Sequence, residues 1–188
     1  MARTSRSICT RAICPIASAS TGRLRSIARR WVCRSSAIRF AWCAPNLKHV
    51  LSDPQRLKLF HFARFDIAMF MRDLSIVTTP LYCTKVASKL VRTYPDRHGL
   101  KDLTKEVLGR DISKDQQSSD WGAPELSDAQ LAYAASDVLH LHALKERLDA
   151  MLAREGRTEI AQSCFDFLPT RAALDLAGWE ETDIFAHA

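Results

Sequence analysis

At 188 residues, with 47% hydrophobic and 26% charged side chains and only 6 Gly and 7 Pro, the chain has the composition of one folded domain and is short for two. It contains no apolar run of about 18 residues, so a membrane-spanning helix is not expected. The net charge of +6 suggests nucleic-acid binding, but its distribution removes that argument.

Residues 1–47 hold nine Arg and no Asp or Glu, while the other 18 Lys and Arg stand against all 21 acids and leave the body at −3. Cysteine divides in the same way. Cys9, Cys14, Cys33 and Cys43 lie in the basic part, and only Cys83 and Cys164 lie in the body. There is no Cys-x-x-Cys pair and no zinc-like Cys/His spacing, so free thiols in a reducing compartment are expected. Residues 1–43 show neither sustained alternation nor a strong helical stripe. Three readings stand: a transit peptide, Arg- and Ser-rich and acid-poor; a disordered basic arm; or a segment translated out of frame from GC-rich DNA. The expected division is residues 1–43 as an atypical segment and 44–188 as the domain.

Within the domain, "APNLKHVLSDPQ" (44–55) predicts a short helix with Pro54 past its end. "RLKLFHFA" (56–63) alternates as a strand with at least one buried face. "FDIAMFMRDL" (65–74) predicts a helix with Phe65, Ile67, Ala68, Phe70 and Met71 inward. "SIVTTPLYCT" (75–84) is β-branched and broken by Pro80, as in a short strand. "KVASKLVRTY" (85–94) returns to helical spacing, "YPDRHG" is a loop, and "GLKDLTKEVLG" (99–109) is a helix between two glycines. A polar, turn-rich stretch (110–125) follows. Ser127 and Gln130 then form a capping-box signature. They open one long helix to about Arg154, with an expected stripe of Leu131, Ala134, Val138, Leu141, Leu148 and Met151. One or two helices complete the chain. Strand and helix alternate through the middle, so the class is α/β with an all-helical end.

Beside that stripe, Tyr133 and Asp137 stand one turn apart on one face. A carboxylate near a core is costly unless it is paired or binds a cation. The ordinary explanation for Asp137 is a rim position facing a Lys or Arg. A second acid, Asp66, falls where the first strand gives way to a helix, and ligands gather at strand carboxyl ends in α/β folds. Its ordinary explanation is a first-turn Asp stabilised by the helix dipole. Two acids converging on one cleft would suit Mg²⁺ or Mn²⁺, and a neighbouring phenol could hold a water for attack. Bland readings serve elsewhere. His61 is expected at the core or rim, although it could lie near the metals. His140 and His142 should be solvated or hydrogen-bonded, and Trp121 should anchor a loop or stack on a base.

"HFARFD", "GLKDLTKEVLG", "QSSDW" and "LSDAQLAYAASDVLHLHALKERLDAML", in that order, resemble the ribonuclease D branch of the DEDDy-type 3′–5′ exonucleases over residues 44–188. The resemblance implies a ribonuclease H-like sheet flanked by helices. It also implies Asp66 and Asp137 as metal-binding acids, Tyr133 as the residue that orients the attacking water, and two Mg²⁺ or Mn²⁺ ions. The implied substrate is single-stranded or 3′-overhanging nucleic acid, RNA favoured over DNA, hydrolysed at its 3′-terminal phosphodiester. Bacterial relatives of this short form imply a cytoplasmic location, or a mitochondrial one if residues 1–43 are a transit peptide. The family's first motif, D-x-E on the first strand, has no counterpart, because no Asp or Glu precedes Asp53. The out-of-frame reading is therefore favoured, with the first strands missing or replaced and activity impaired. The alternative is a non-catalytic nucleic-acid-binding or assembly module, and a third reading is a small structural protein with no nucleic-acid role.

Overall fold

The structure is a computed structural model that describes residues 45–187 apart from 95, 114 and 124. The expectations for residues 1–43, including the missing first strands, lie outside the described residues. Elements run in the order α1 (Pro45–Ser52), β1 (Lys58–Phe60), α2 (Ala63–Met69), a π-helical turn (Phe70–Leu74), β2 (Leu81–Cys83), α3 (Thr84–Val91), α4 (Leu100–Leu108), α5 (Asp128–Leu139), α6 (Leu141–Arg154), α7 (Thr158–Leu174) and a second π-helical turn (Asp175–Trp179).

β1 and β2 pair in parallel, with Lys58 opposite Leu81, Leu59 opposite Tyr82 and Phe60 opposite Cys83. All six residues are buried, as both-face coverage of a parallel pair requires. Both strands are three residues long, so the alternation read over 56–63 marks a shorter strand than it suggested. Lys58 is the unexpected member. Its ammonium donates to the carbonyls of Asp53 (2.7 Å) and Thr79 (2.5 Å), which makes its burial tolerable. Burial still holds its pKa below the ordinary lysine value, with Asp53 opposing that shift.

Helices cover this pair. α2 packs on α7, and α3 packs on α6. α6 contributes Leu141, Leu144, Leu148 and Leu152, and α7 contributes Ala161, Phe165, Leu168 and Ala172, both at helical spacing. α4 is bounded by Gly99 and Gly109 as expected. Gly109 caps it in the left-handed conformation (φ 67°), which a glycine adopts without a Cβ clash. The architecture is α/β with an all-helical end, as the strand–helix alternation predicts.

The long helix from Ser127 is not continuous. His140, at φ −95° and ψ −6°, ends α5 and begins α6. The expected stripe fails in the first half. Leu131 is 51% exposed, Ala134 and Val138 are only partly buried, and the buried residues of α5 are Gln130, Tyr133 and Asp137. Spacings of three and four carry this set straight into Leu141, Leu144, Leu148 and Leu152, so one face runs through both helices. The sequence pattern puts the two polar residues beside the buried face. They are the buried face.

Candidate active site

Asp66 owes its place to a sharp turn. β1 ends at Phe60, and Phe62 adopts the left-handed region (φ 70°, ψ 46°), so α2 starts at Ala63 with Asp66 in its first turn. A phenylalanine there costs about 1–2 kcal/mol. Such strain persists only where surroundings impose it. The surroundings are visible: the Lys85 ammonium sits 4.1 Å from the Phe62 ring centroid, and the Ala63 N–H points to Cys83 Sγ at 3.4 Å. Just before the turn, His61 is buried with Nδ1 2.9 Å from Thr84 Oγ1, and that hydroxyl donates to the Phe60 carbonyl (3.2 Å). Thr84 Oγ1 thus links the His61 ring to the backbone of β1. His61 therefore belongs to the core and ties β1 to α3.

Tyr133 and Asp137 are brought together on one turn of α5, both buried. Asp66 lies on α2, and it and Asp137 are each 7% exposed. The rim position allowed for Asp137 does not hold. Gln130, the third buried residue of this face, is predicted from the sequence only as the N3 member of the cap. It fills that role: its backbone N–H donates to Ser127 Oγ (3.3 Å), and its side-chain oxygen accepts from Ser127 N–H (2.9 Å). Its amide nitrogen also donates to Ser119 Oγ (3.1 Å) and to the Asp120 carbonyl (3.0 Å). Its place three residues before Tyr133 was the available signal. Trp121 anchors its loop as expected, donating from Nε1 to the Gln116 carbonyl (3.0 Å), and its ring lies 5.9 Å from the Tyr133 ring. Of the remaining histidines on these helices, His140 is half-buried at the junction and His142 is exposed.

Another feature escaped the sequence reading. Arg64, on α2, is joined to Asp175 and to the Glu180 carbonyl, while Arg171 reaches Asp175 and the carbonyls of Trp179 and Glu180. The segment after α7 is thereby fastened to the helix that carries Asp66. Partners more than 100 residues apart leave no local signal.

The 3′–5′ exonuclease family matches residues 15–153, a span that begins inside the acid-free segment and ends in α6. The chain belongs to that family. Ribonuclease D of Gluconacetobacter diazotrophicus is 39% identical over 110 residues, covering 58% of this chain and 28% of that protein. The match thus spans little more than a quarter of the length of that ribonuclease D and of the one from Acidiphilium cryptum. Among solved structures, NrnC of Brucella melitensis is 58% identical with a TM-score of 0.75, covering 77% of this chain and 70% of that one. That protein has also been solved with bound Mg²⁺ and bound to pGG. RNase D of Escherichia coli is 25% identical with a TM-score of 0.61, over 67% of this chain and 33% of that one. The fold is the α/β, ribonuclease H-like exonuclease fold.

Divalent ions are the family's usual cofactor, and the donor set here meets that requirement only in part. Asp66 and Asp137 are hard oxygen donors of the right kind. Among the described residues, however, no three His, Cys, Asp or Glu side chains gather to hold an ion, and the chain contains no D-x-E. Among the described residues, the side chains present do not make a two-ion centre.

Proposed function

We propose that this domain is a ribonuclease D-like 3′–5′ exonuclease unit, built to act on the 3′-terminal phosphodiester of short or single-stranded RNA and impaired as the chain stands. The observation that supports it is the polar inner face of α5. Tyr133 and Asp137, one turn apart, occupy positions on the inner face that α6 fills with leucine, and they are the phenol and the acid that the ribonuclease D resemblance assigns to the site. The relatives' names, and the Brucella protein's complexes with Mg²⁺ and pGG, support nucleic acid as the substrate and a divalent ion as the cofactor.

In this reading Asp66 and Asp137 face a common cleft and offer oxygens to Mg²⁺ or Mn²⁺. A divalent ion held by these two acids would supply Lewis-acid polarisation of the phosphoryl group. Tyr133 would accept or donate a hydrogen bond to that water and hold it in line with the leaving 3′-oxygen. Burial of the phenol limits its rotamers, so the orientation is set before substrate arrives. Two carboxylates carry half the family's negative charge, which is why ion binding should be weak and turnover low. The same reading keeps a cytoplasmic setting, with a mitochondrial one as the alternative if residues 1–43 are a transit peptide.

Titration calorimetry with Mn²⁺ and trimming of a 3′-labelled oligoribonucleotide test this together. Weak Mn²⁺ binding lost in both Asp66→Asn and Asp137→Asn supports the shared site. Salt-dependent RNA binding with no Mn²⁺ binding at all would favour a non-catalytic module instead.

A further inference from the structure

The geometry points to Gln130 as a positioning residue that sets Tyr133 through the 116–121 loop and Trp121. This rests on the reading of Tyr133 as the water-orienting phenol and extends it to what holds that phenol. A glutamine that served only as a cap would need one acceptor oxygen for the Ser127 N–H. Gln130 does more. Its oxygen closes the cap, and both bonds of its amide nitrogen go across to Ser119 Oγ and the Asp120 carbonyl. Ser119 is itself turned back on the loop, donating from its backbone N–H (3.2 Å) and from Oγ (2.8 Å) to the Gln116 carbonyl. The same carbonyl receives the Trp121 indole N–H at 3.0 Å. One carbonyl therefore gathers Ser119 and Trp121, and Gln130 fastens that turn to α5. The Trp121 ring is left against the Tyr133 ring, centroids 5.9 Å apart and planes inclined by 50°.

Gln130 and Tyr133 are one turn apart on the same buried face, so the helix and the loop meet at the phenol from two sides. Nothing in helix capping requires the amide nitrogen to bridge to a separate loop. A glutamate at 130 would retain the cap oxygen and lose both donors. That difference separates the two roles.

Fluorine NMR of the full chain labelled with 3-fluorotyrosine reads the phenol directly and requires no turnover, so it is independent of whether the domain hydrolyses RNA. The chain has three tyrosines, Tyr82, Tyr94 and Tyr133, and the Tyr133 signal is assigned by its loss in Tyr133→Phe. Tyr82, packed on Phe165 with centroids 4.6 Å apart, reports the core. Trp121→Leu removes the ring current and displaces the Tyr133 signal. Gln130→Glu should move that signal toward its Trp121→Leu position while Tyr82 stays, and Ser119→Ala should do the same to a smaller extent. In the Trp121→Leu background Gln130→Glu should add no further shift, since coupled residues are not additive. A Tyr133 signal unmoved by Gln130→Glu, additive shifts in the double variant, or a Tyr82 signal displaced alongside Tyr133 would each overturn the assignment.

Discussion

The guanidinium of Arg64 holds both carboxylate oxygens of Asp175, Nε to Oδ2 and Nη2 to Oδ1, across 111 residues of chain. Two residues beyond Arg64 lies Asp66, so the pair fastens the acid-bearing helix to the end of α7. Both side chains are mostly shielded from solvent. Two parallel charge-assisted bonds in that setting contribute more than an exposed ion pair does. Arg64→Ala is expected to destabilise the fold by about 1–3 kcal/mol. Arg72→Ala, which breaks an exposed pair with Asp73, should cost no more than about 0.5 kcal/mol. Urea unfolding of the two variants checks the contrast, and equal midpoints would contradict it.

The inner face of α6 makes a second contrast. Leu144 is fully buried and Leu139, just before the His140 junction, is 70% exposed. Leu144→Ala should cost about 2–5 kcal/mol through lost burial and the cavity it leaves, and Leu139→Ala about 0.5 kcal/mol or less. Thermal unfolding measures both. Equal losses from the two substitutions would contradict the inner face that α6 presents.

Acid sensitivity has a local origin as well. Arg92, fully buried, bonds Glu106, and the Tyr94 hydroxyl donates to the same carboxylate at 2.7 Å. The Arg92 bond, then the Tyr94 bond, hold the Glu106 carboxyl below its ordinary range. A depressed folded-state pKa gives stability that is present above the unfolded value of about 4.3 and is lost as pH falls through the folded one. Glu106→Gln should therefore be less stable than the parent at neutral pH, and the gap should narrow as pH drops below about 4.3. Denaturation midpoints between neutral and acid pH give the test, and parallel curves would contradict it.

The acid-free segment has a prediction at the level of its gene. If residues 1–43 are read out of frame, the nucleotides upstream of codon 44 should encode a D-x-E flanked by alternating apolar residues in another frame. Sequencing that region and finding no such motif in any frame would leave the segment to one of its other two readings.

Elements with local signatures were legible in the sequence. α4 between Gly99 and Gly109, the Ser127–Gln130 capping box and the α/β class rest on neighbours a few residues apart, and the structure agrees with them. The resemblance to ribonuclease D rests on short motifs in order, and the family match supports it. Legibility failed where burial depends on distant partners. Leu131 and Val138 satisfy a helical stripe as well as Gln130, Tyr133 and Asp137 do, and hydrophobicity alone selects the wrong set. Lys58 sits in a buried strand because carbonyls from two separate loops receive it. No periodicity announces that. The Phe62 turn, which sets Asp66, breaks the usual preference for glycine in the left-handed region, so sequence reasoning had no cue to place it.

Trimming of a 3′-end-labelled oligoribonucleotide by the purified chain tests the central claim most directly: an exonuclease fold holding Asp66, Tyr133 and Asp137 without the D-x-E acids. Two-metal hydrolysis needs enough fixed negative charge to hold two divalent ions side by side. The expected result is little or no trimming even at millimolar Mn²⁺, indistinguishable from Asp137→Asn, with activity restored when an in-frame first strand carrying D-x-E is supplied. Robust trimming by the chain as it stands, abolished by Asp137→Asn, would show that the missing acids are dispensable or replaced and would contradict the account.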